Sequence, residues 1–293
     1  MKLSISMPSV YGIYDISLTE AYRALKSCGF QNTVIVERKG ENNLSAHVEA
    51  ANCAGVTPVS ARIFANPFES QDALAYVENA VSRAADLGIS SVVIPVGTET
   101  NIEHYDYLAR NEAYLRGMLE IAEKKNTKLL IENSGSYQIA HYLHHARAIR
   151  LLTDRLNHPL LGVNLNVGNL GLAEAQPYPQ IRLLGKLIQG VDLSDNFGAM
   201  PLAVHPERQD FQLLPQMGFI DFDQVFEALT EIGFTGTCNV TAHLPMLGKN
   251  VYPSTGRPKF SREMIDRLYT WAFHVMKTML TSYGVYEEEG TTV

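Results

Sequence analysis

The sequence predicts an α/β fold in which eight parallel strands, each followed by a helix, close into a single-domain (β/α)8 barrel. One glycine-centred junction recurs, eight short apolar segments are spaced like buried strands, and 293 residues suffice for one such domain. A doubly wound open sheet is the alternative. No glycine-rich phosphate loop follows the first strand, however, and eight evenly spaced strands favour closure.

The recurring junction is a helical pattern that ends at glycine, followed by one apolar residue and then a β-branched run. It occurs at Gly29, Gly55, Gly88 and Gly233. Glycine readily takes the left-handed conformation that ends a helix, and the apolar residue after it packs against the last turn. Each copy therefore predicts the turn from a helix into the next strand.

The candidate strands are apolar along most of their length, as expected for a parallel sheet covered by helices. They lie at residues 3–7, 32–36, 57–62, 91–96, 128–132, 160–165, 187–193 and 236–241. Ser17 and Glu20 form a capping box that opens the first helix, and Asp221 is placed to cap a later one.

The last predicted helix has apolar residues at helical spacing. These are Met264, Leu268, Trp271, Ala272, Val275 and Met279. We expect this face to pack on the barrel.

Composition excludes several classes of protein. A formal charge of −7 does not suit nucleic-acid phosphates, so we expect no such partner. We find neither a secretory signal nor the roughly 20 apolar residues of a membrane span, and therefore expect a cytoplasmic protein with no membrane partner.

Cys28, Cys53 and Cys238 are widely spaced, and we interpret them as small core residues. The barrel should span residues 1–284, and residues 285–293 should form an acidic tail.

Polar residues end the apolar runs of the later strands, which is where a barrel places its ligand site. The segments are Ile131-Glu132-Asn133, VNLNVGN at residues 163–169, VDLSDN at residues 191–196 and Asn239-Val240-Thr241-Ala242-His243. Glu37 and Arg62 end earlier strands at similar heights, and Arg208 is a further candidate for binding a phosphate or carboxylate. We predict one pocket at this mouth.

These segments resemble motifs of the xylose-isomerase-like family of sugar isomerases and epimerases, in order along nearly the whole chain. Ile131-Glu132-Asn133 resembles the family's Ile-Glu-Asn, VNLNVGN its Asp-x-Gly-His, and VDLSDN its His-x-Lys-Asp-Asn. Residues 218–241 resemble the stretch from Gly-x-Ile-Asp-Phe to a final Glu. The resemblance implies that Glu132 is a metal ligand and a catalytic base.

The chain departs from the family pattern where the family binds its metal. Asn166, Asp192 and Thr241 stand where the family has Asp, His and Glu, and Asn169 replaces a substrate-facing His. Hard divalent cations prefer anionic oxygens, whereas Asn and Thr offer neutral ones. We expect affinity for Mn, Mg or Zn to be weakened or lost, with Glu132 and Asp192 as the remaining ligands.

The resemblance implies proton transfer beside the carbonyl of a small sugar, polyol or sugar acid. The family uses two Glu for this proton, and the chain keeps one of them, which still permits isomerisation or elimination of water. The expected catalytic residues are Glu132, Asp192 and His243; the expected substrate contacts are Glu37, Arg62, Asn166, Asn169, Arg208, Asn239 and Thr241. A dehydratase, a non-catalytic carbohydrate-binding barrel and homo-oligomerisation stay open.

Other catalytic classes fit the sequence badly. His141, His144 and His145 are interpreted as a surface cluster at the start of the fifth helix rather than a metal site. No Ser or Cys lies in a nucleophile-elbow pattern. An apurinic-site endonuclease would need a His-rich multimetal cluster and a basic face.

Overall fold

The computed structural model contains eight parallel strands that close into a barrel in chain order. They are β1 (Lys2–Ser6), β2 (Asn32–Arg38), β3 (Thr57–Phe64), β4 (Ser91–Ile94), β5 (Lys128–Glu132), β6 (Leu161–Asn166), β7 (Ile188–Leu193) and β8 (Thr237–Val240). The structure describes residues 1–7, 9–41, 43–97, 103–133, 143–173, 176–198, 213–242 and 254–287. The predicted (β/α)8 fold is confirmed, and every predicted strand overlaps an observed one.

Helices follow the strands around the outside of the barrel. In the described parts of the chain they are α1 (Leu18–Ser27), α2 (Leu44–Ala54), α3 (Gln71–Asp86), α4 (His104–Lys125), α5 (Ala146–Leu156), α6 (Val167–Leu172), α7 (Pro177–Leu184), α8 (Phe222–Glu231) and α9 (Arg262–Ser282). The capping box of Ser17 and Glu20 is present, and Asp221 caps α8. None of the described helices combines the length and apolarity needed to cross a membrane.

The glycine junctions form as predicted. All four glycines have positive φ: Gly29 at 112°, Gly55 at 69°, Gly88 at 81° and Gly233 at 70°. The amide of the apolar residue after each glycine donates to a carbonyl five residues earlier; the pairs are Phe30 to Leu25, Val56 to Ala51, Ile89 to Ala84 and Phe234 to Leu229. These bonds satisfy carbonyls that the helix end would otherwise leave without partners.

Four of the six residues of the predicted face of α9 pack on the barrel: Ala272 is buried, and Leu268, Val275 and Met279 are half-buried against the core. Trp271 and Met264 are exposed, whereas Tyr269 and Phe273 are buried. The Phe273 ring packs edge-on against Phe30, with centroids 5.1 Å apart. The buried face therefore extends from the predicted residues to these aromatic side chains and leaves two of the predicted residues, Met264 and Trp271, exposed.

Two smaller expectations also need correction. Cys28 and Cys238 are buried as predicted, but Cys53 is exposed on α2. α5 begins at Ala146, so His144 and His145 precede that helix, and His141 lies outside the described residues.

The predicted tail begins against the barrel. The amide of Glu287 donates to the carbonyl of Met1 at 2.9 Å, which attaches Glu287 to the residue directly before β1. Residues 288–293 lie beyond the described part.

Strand register decides which side chains enter the lumen, because paired residues of parallel strands point to the same side. Glu132 pairs with Asn164, and Asp192 pairs with both Asn166 and Asn239. The alternate residues of these strands are apolar and pack outward against the helices. The lumen therefore receives a layer of carboxylates and amides near the carboxyl ends of the strands.

Candidate active site

Three charged side chains from alternate strands meet in the lumen: Arg62 of β3, Glu132 of β5 and Asp192 of β7. Arg62 Nη2 lies 2.8 Å from Glu132 Oε2, and the same nitrogen donates to Asp192 Oδ2. Side-chain exposure is 7% for Arg62 and 1% for Asp192, but 22% for Glu132. Of these three groups, which we name the charged cluster, Glu132 is the one a ligand can approach.

Three asparagine amides hold the Glu132 carboxylate. Asn166 Nδ2 and Asn169 Nδ2 donate to Oε1 at 3.1 and 3.3 Å, and Asn164 Nδ2 donates to Oε2 at 3.2 Å. Asn166 also accepts from the backbone amide of Asn169 at 3.1 Å and so caps α6. The short helix after β6 therefore positions both amides over Oε1.

Asp192 is held more completely. Asn239 Nδ2 donates to Oδ1 at 2.6 Å, and Asn164 Nδ2 donates to Oδ2 at 2.7 Å. Asn239 is itself fixed by β1, because its Oδ1 accepts from Ser4 Oγ at 3.2 Å and its Nδ2 lies 3.1 Å from Ser6 Oγ. Asp192 is thus a buried anchor of the charged cluster.

Burial raises the pKa of Glu132 to about 7, and the neighbouring charge of Asp192 adds to the rise against the opposing effect of Arg62 and the amides. The charges of Asp192 and Glu132 outweigh burial and hold the pKa of Arg62 above its ordinary value. The cluster therefore pairs a permanent cation with a carboxylate that can gain or lose a proton near neutral pH.

A divalent cation between Glu132 and Asp192 does not fit this arrangement. Arg62 Nη2 and Asn164 Nδ2 already lie against Glu132 Oε2 and Asp192 Oδ2, the two oxygens that converge. Amide and guanidinium N–H groups are donors and cannot serve as metal ligands. Within the described ranges, no group of three or more His, Cys, Asp or Glu could hold a metal ion.

The predicted site residues do not all come together. Arg62, Glu132, Asn166, Asn169, Asp192 and Asn239 share one hydrogen-bonded network. Thr241 is buried just beyond β8, where its amide donates to the carbonyl of Leu193 at 3.1 Å. Arg208 and His243 lie outside the described residues.

Glu37 does not join the network, and its predicted place in the pocket is wrong. Val36 pairs with Arg62, which turns the next residue, Glu37, to the helix side with Ile63. There Glu37 is fully buried and 2.9 Å from Arg83 Nη2. The prediction rested on the similar height of Glu37 and Arg62 along neighbouring strands. Height alone does not place a side chain in the lumen, because successive side chains of a strand point to opposite faces.

Asn164 is a central member that the sequence reasoning did not select. It bridges the two carboxylates. The sequence carried a signal for it, because Asn164 lies two residues before Asn166 on the same strand and so points to the same side. Asn133 braces the same strand end, since its Oδ1 accepts from the Asn166 amide at 2.7 Å and its Nδ2 donates to the Asn166 carbonyl at 3.0 Å.

The chain belongs to the xylose isomerase-like TIM barrel family, whose model matches residues 46–246. The resemblance inferred from the strand-end motifs is therefore confirmed. A search of curated proteins found no match.

Solved structures with the same barrel include sugar epimerases. D-psicose 3-epimerase from Clostridium cellulolyticum H10, solved with D-tagatose, has a TM-score of 0.73 at 15% identity over 96% of this chain and 99% of that chain. An L-ribulose 3-epimerase gives 0.71 at 15% over 97% and 96%, and the IolI protein with a bound zinc atom gives 0.73 at 17% over 97% and 99%. At these identities the likeness shows the fold alone.

Proposed function

We propose that this protein is a sugar isomerase or epimerase that moves a proton beside the carbonyl of a small sugar, polyol or sugar acid, with Glu132 as the base. One observation carries the proposal: Glu132 is the accessible carboxylate of the charged cluster and has its pKa raised to about 7. A general base works best when its pKa is close to the operating pH. Family membership supports the same class of reaction.

In the proposed reaction, Glu132 takes a proton from the carbon next to the carbonyl, and the electron pair of the broken C–H bond moves to the carbonyl oxygen. Return of that proton to the former carbonyl carbon, while the hydroxyl proton on the first carbon passes to the former carbonyl oxygen, completes an isomerisation on one face. Epimerisation would need a second group on the opposite face. With Glu132 as the one accessible carboxylate of the charged cluster among the described residues, isomerisation is favoured. Loss of a hydroxide from the same intermediate would make a dehydratase.

A non-catalytic carbohydrate-binding barrel is the second candidate, and the crowding of donors around Glu132 favours it. Asn164, Asn166, Asn169 and Arg62 together place N–H groups on both carboxylate oxygens. These hydrogen bonds stabilise the ionised form and reduce its basicity. Amides of this kind also suit the hydroxyl groups of a sugar.

Hydrogen–deuterium exchange at carbon separates the two candidates. A panel of aldoses, ketoses, polyol ketones and sugar acids is incubated in D2O, and proton NMR follows the position beside the carbonyl. We expect exchange with at least one panel member, and loss of that exchange in Glu132→Gln. The matched control is Glu123→Gln, which alters an exposed carboxylate on α4 that contacts His158 at 3.0 Å and should exchange normally.

Exchange that persists in Glu132→Gln would place the base elsewhere. Binding of a panel sugar without exchange, and with weaker affinity in Glu132→Gln, would make the carbohydrate-binding barrel the better description.

A further inference from the structure

We infer that the Arg62 guanidinium is the resident cation of this site and holds the position between two carboxylates that a divalent metal would otherwise take. The inference deepens the proposed function, on which it rests for its catalytic meaning. There, a fixed positive charge buried beside Glu132 would act through space on negative charge that develops on a ligand held at Glu132. Its structural part stands on the geometry of the charged cluster.

The position of the Arg62 guanidinium supports this inference. A single nitrogen, Arg62 Nη2, lies 2.8 Å from Glu132 Oε2 and also donates to Asp192 Oδ2. Two oxygens from strands on opposite sides of β6 thus converge on one positively charged group. A metal ion would need the same lone pairs at roughly 2.0–2.2 Å, so it and the guanidinium exclude each other.

The second support is the set of neutral neighbours. Asn164 Nδ2 donates to the same two oxygens, at 3.2 and 2.7 Å, and Asn166 and Asn239 donate to the remaining oxygens of the two carboxylates. Every contact on these carboxylates from the described side chains comes from an N–H donor. These neutral donors therefore suit two carboxylates whose negative charge is already paired with the Arg62 guanidinium.

The third support is a donor that the cluster leaves unused. Arg62 Nε is buried, and it has no hydrogen-bond partner in the described structure. A buried N–H without an acceptor costs free energy, so such groups tend to mark a place where a ligand or water binds. The guanidinium thus retains a donor beyond those that hold Glu132 and Asp192.

Removing the guanidinium should turn the cluster into a metal site, because two adjacent carboxylates would lose their cation and gain space. The probe is Mn²⁺ alone, added to protein dialysed against a chelator and followed by electron paramagnetic resonance. At about 1 mM Mn²⁺, the parent should bind no stoichiometric ion, whereas Arg62→Ala should bind one ion at least tenfold more tightly. Arg62→Lys keeps a cation and should behave like the parent.

Two controls locate the effect. Arg62→Ala/Glu132→Gln leaves one carboxylate and should lose the new site. Arg83→Ala removes a guanidinium from another buried carboxylate, Glu37, at 2.9 Å, but no second carboxylate contacts that arginine in the described structure, so no site should appear.

If Arg62→Ala does not fold in chelator, circular dichroism during Mn²⁺ addition replaces the binding measurement. Folding rescued by Mn²⁺ supports the inference, and folding that stays lost contradicts it. Stoichiometric Mn²⁺ in the parent, lost in Glu132→Gln, would overturn it. No substrate enters these measurements, so an inactive protein with the expected metal pattern would overturn the proposed function alone.

Discussion

Two buried contacts between arginine and carboxylate lie on opposite sides of the barrel wall. Inside, Arg62 is 7% exposed and joins two carboxylates, of which Glu132 is 22% exposed. Outside, Glu37 is fully buried, while its partner Arg83 is 40% exposed. The same pair of groups, an arginine and a carboxylate, therefore has a different role on each side of the barrel wall. The inner contact has one carboxylate in excess and leaves it accessible, whereas the outer one encloses its carboxylate and matches it with one cation.

The difference follows from one residue of register. Val36 pairs with Arg62 and faces the lumen, so Glu37 faces the helices, where the Asn43 amide also donates to its Oε2 at 3.1 Å. A carboxylate with both oxygens engaged and no exposure braces structure, and an accessible one with an excess of negative charge can exchange protons.

The largest expected effect is on activity. Glu132→Gln should lower the turnover rate by about 100-fold or more, because a lost general base typically costs that much. Glu37→Gln should keep the rate within about twofold of the parent, since its carboxylate does not face the lumen. Steady-state kinetics on a sugar found by the exchange assay provides the measurement. Equal losses in the two variants would remove the functional distinction between the two sides.

The two substitutions should change stability in opposite directions. The folded-state pKa of Glu132 is raised from 4.5 to about 7, so its stabilising contribution is present below about 4.5 and is lost as pH rises through about 7. Glu132→Gln should therefore raise the free energy of unfolding at about pH 8 by on the order of 3 kcal/mol, and leave it nearly unchanged at about pH 4. Glu37→Gln should lower it at about pH 8 by roughly 1–3 kcal/mol, because a buried charge-assisted contact is weakened. Urea denaturation at both pH values tests the contrast. A destabilised Glu132→Gln at the higher pH would contradict it.

The pH dependence of the rate should report the excess negative charge. Because Glu132 must be ionised to act as a base, the rate should rise with pH and level off above its pKa of about 7. Burial is the main cause of that raised pKa, and the charge of Asp192 contributes. Asp192→Asn should therefore move the rising limb to lower pH. An unmoved limb would show that the two carboxylates act independently.

The smallest expected effect concerns one amide. Asn166→Ala removes a hydrogen bond to Glu132 Oε1 and the cap of α6, so we expect a loss of about five- to tenfold in kcat/KM, equivalent to about 1 kcal/mol. Ser70→Ala is the matched control, because it removes the cap of α3, where Ser70 accepts from the Ala73 amide at 3.1 Å. Both variants should lose similar stability in thermal unfolding, and only Asn166→Ala should lose activity. A loss of more than about 100-fold would give Asn166 a direct chemical role.

The sequence predicted the fold and much of the site because both rest on local signals. Glycine junctions and apolar runs identified the strands, and an apolar run ending in Glu132 placed that residue at the mouth of the barrel. The expected carbohydrate partner, the cytoplasmic location and the oligomeric state stay predictions.

The identity of the cation at the centre of the site needed the tertiary structure. Arg62 and Asp192 are separated by 130 residues, and only closure of the barrel brings them into contact. The helix-side placement of Glu37 and the burial of Phe273 on α9 depended likewise on register and packing between distant segments. Sequence alone determined which residues end each strand, since that depends on neighbours along the chain. Which of them meet, and with what charge, was decided by contacts across the barrel.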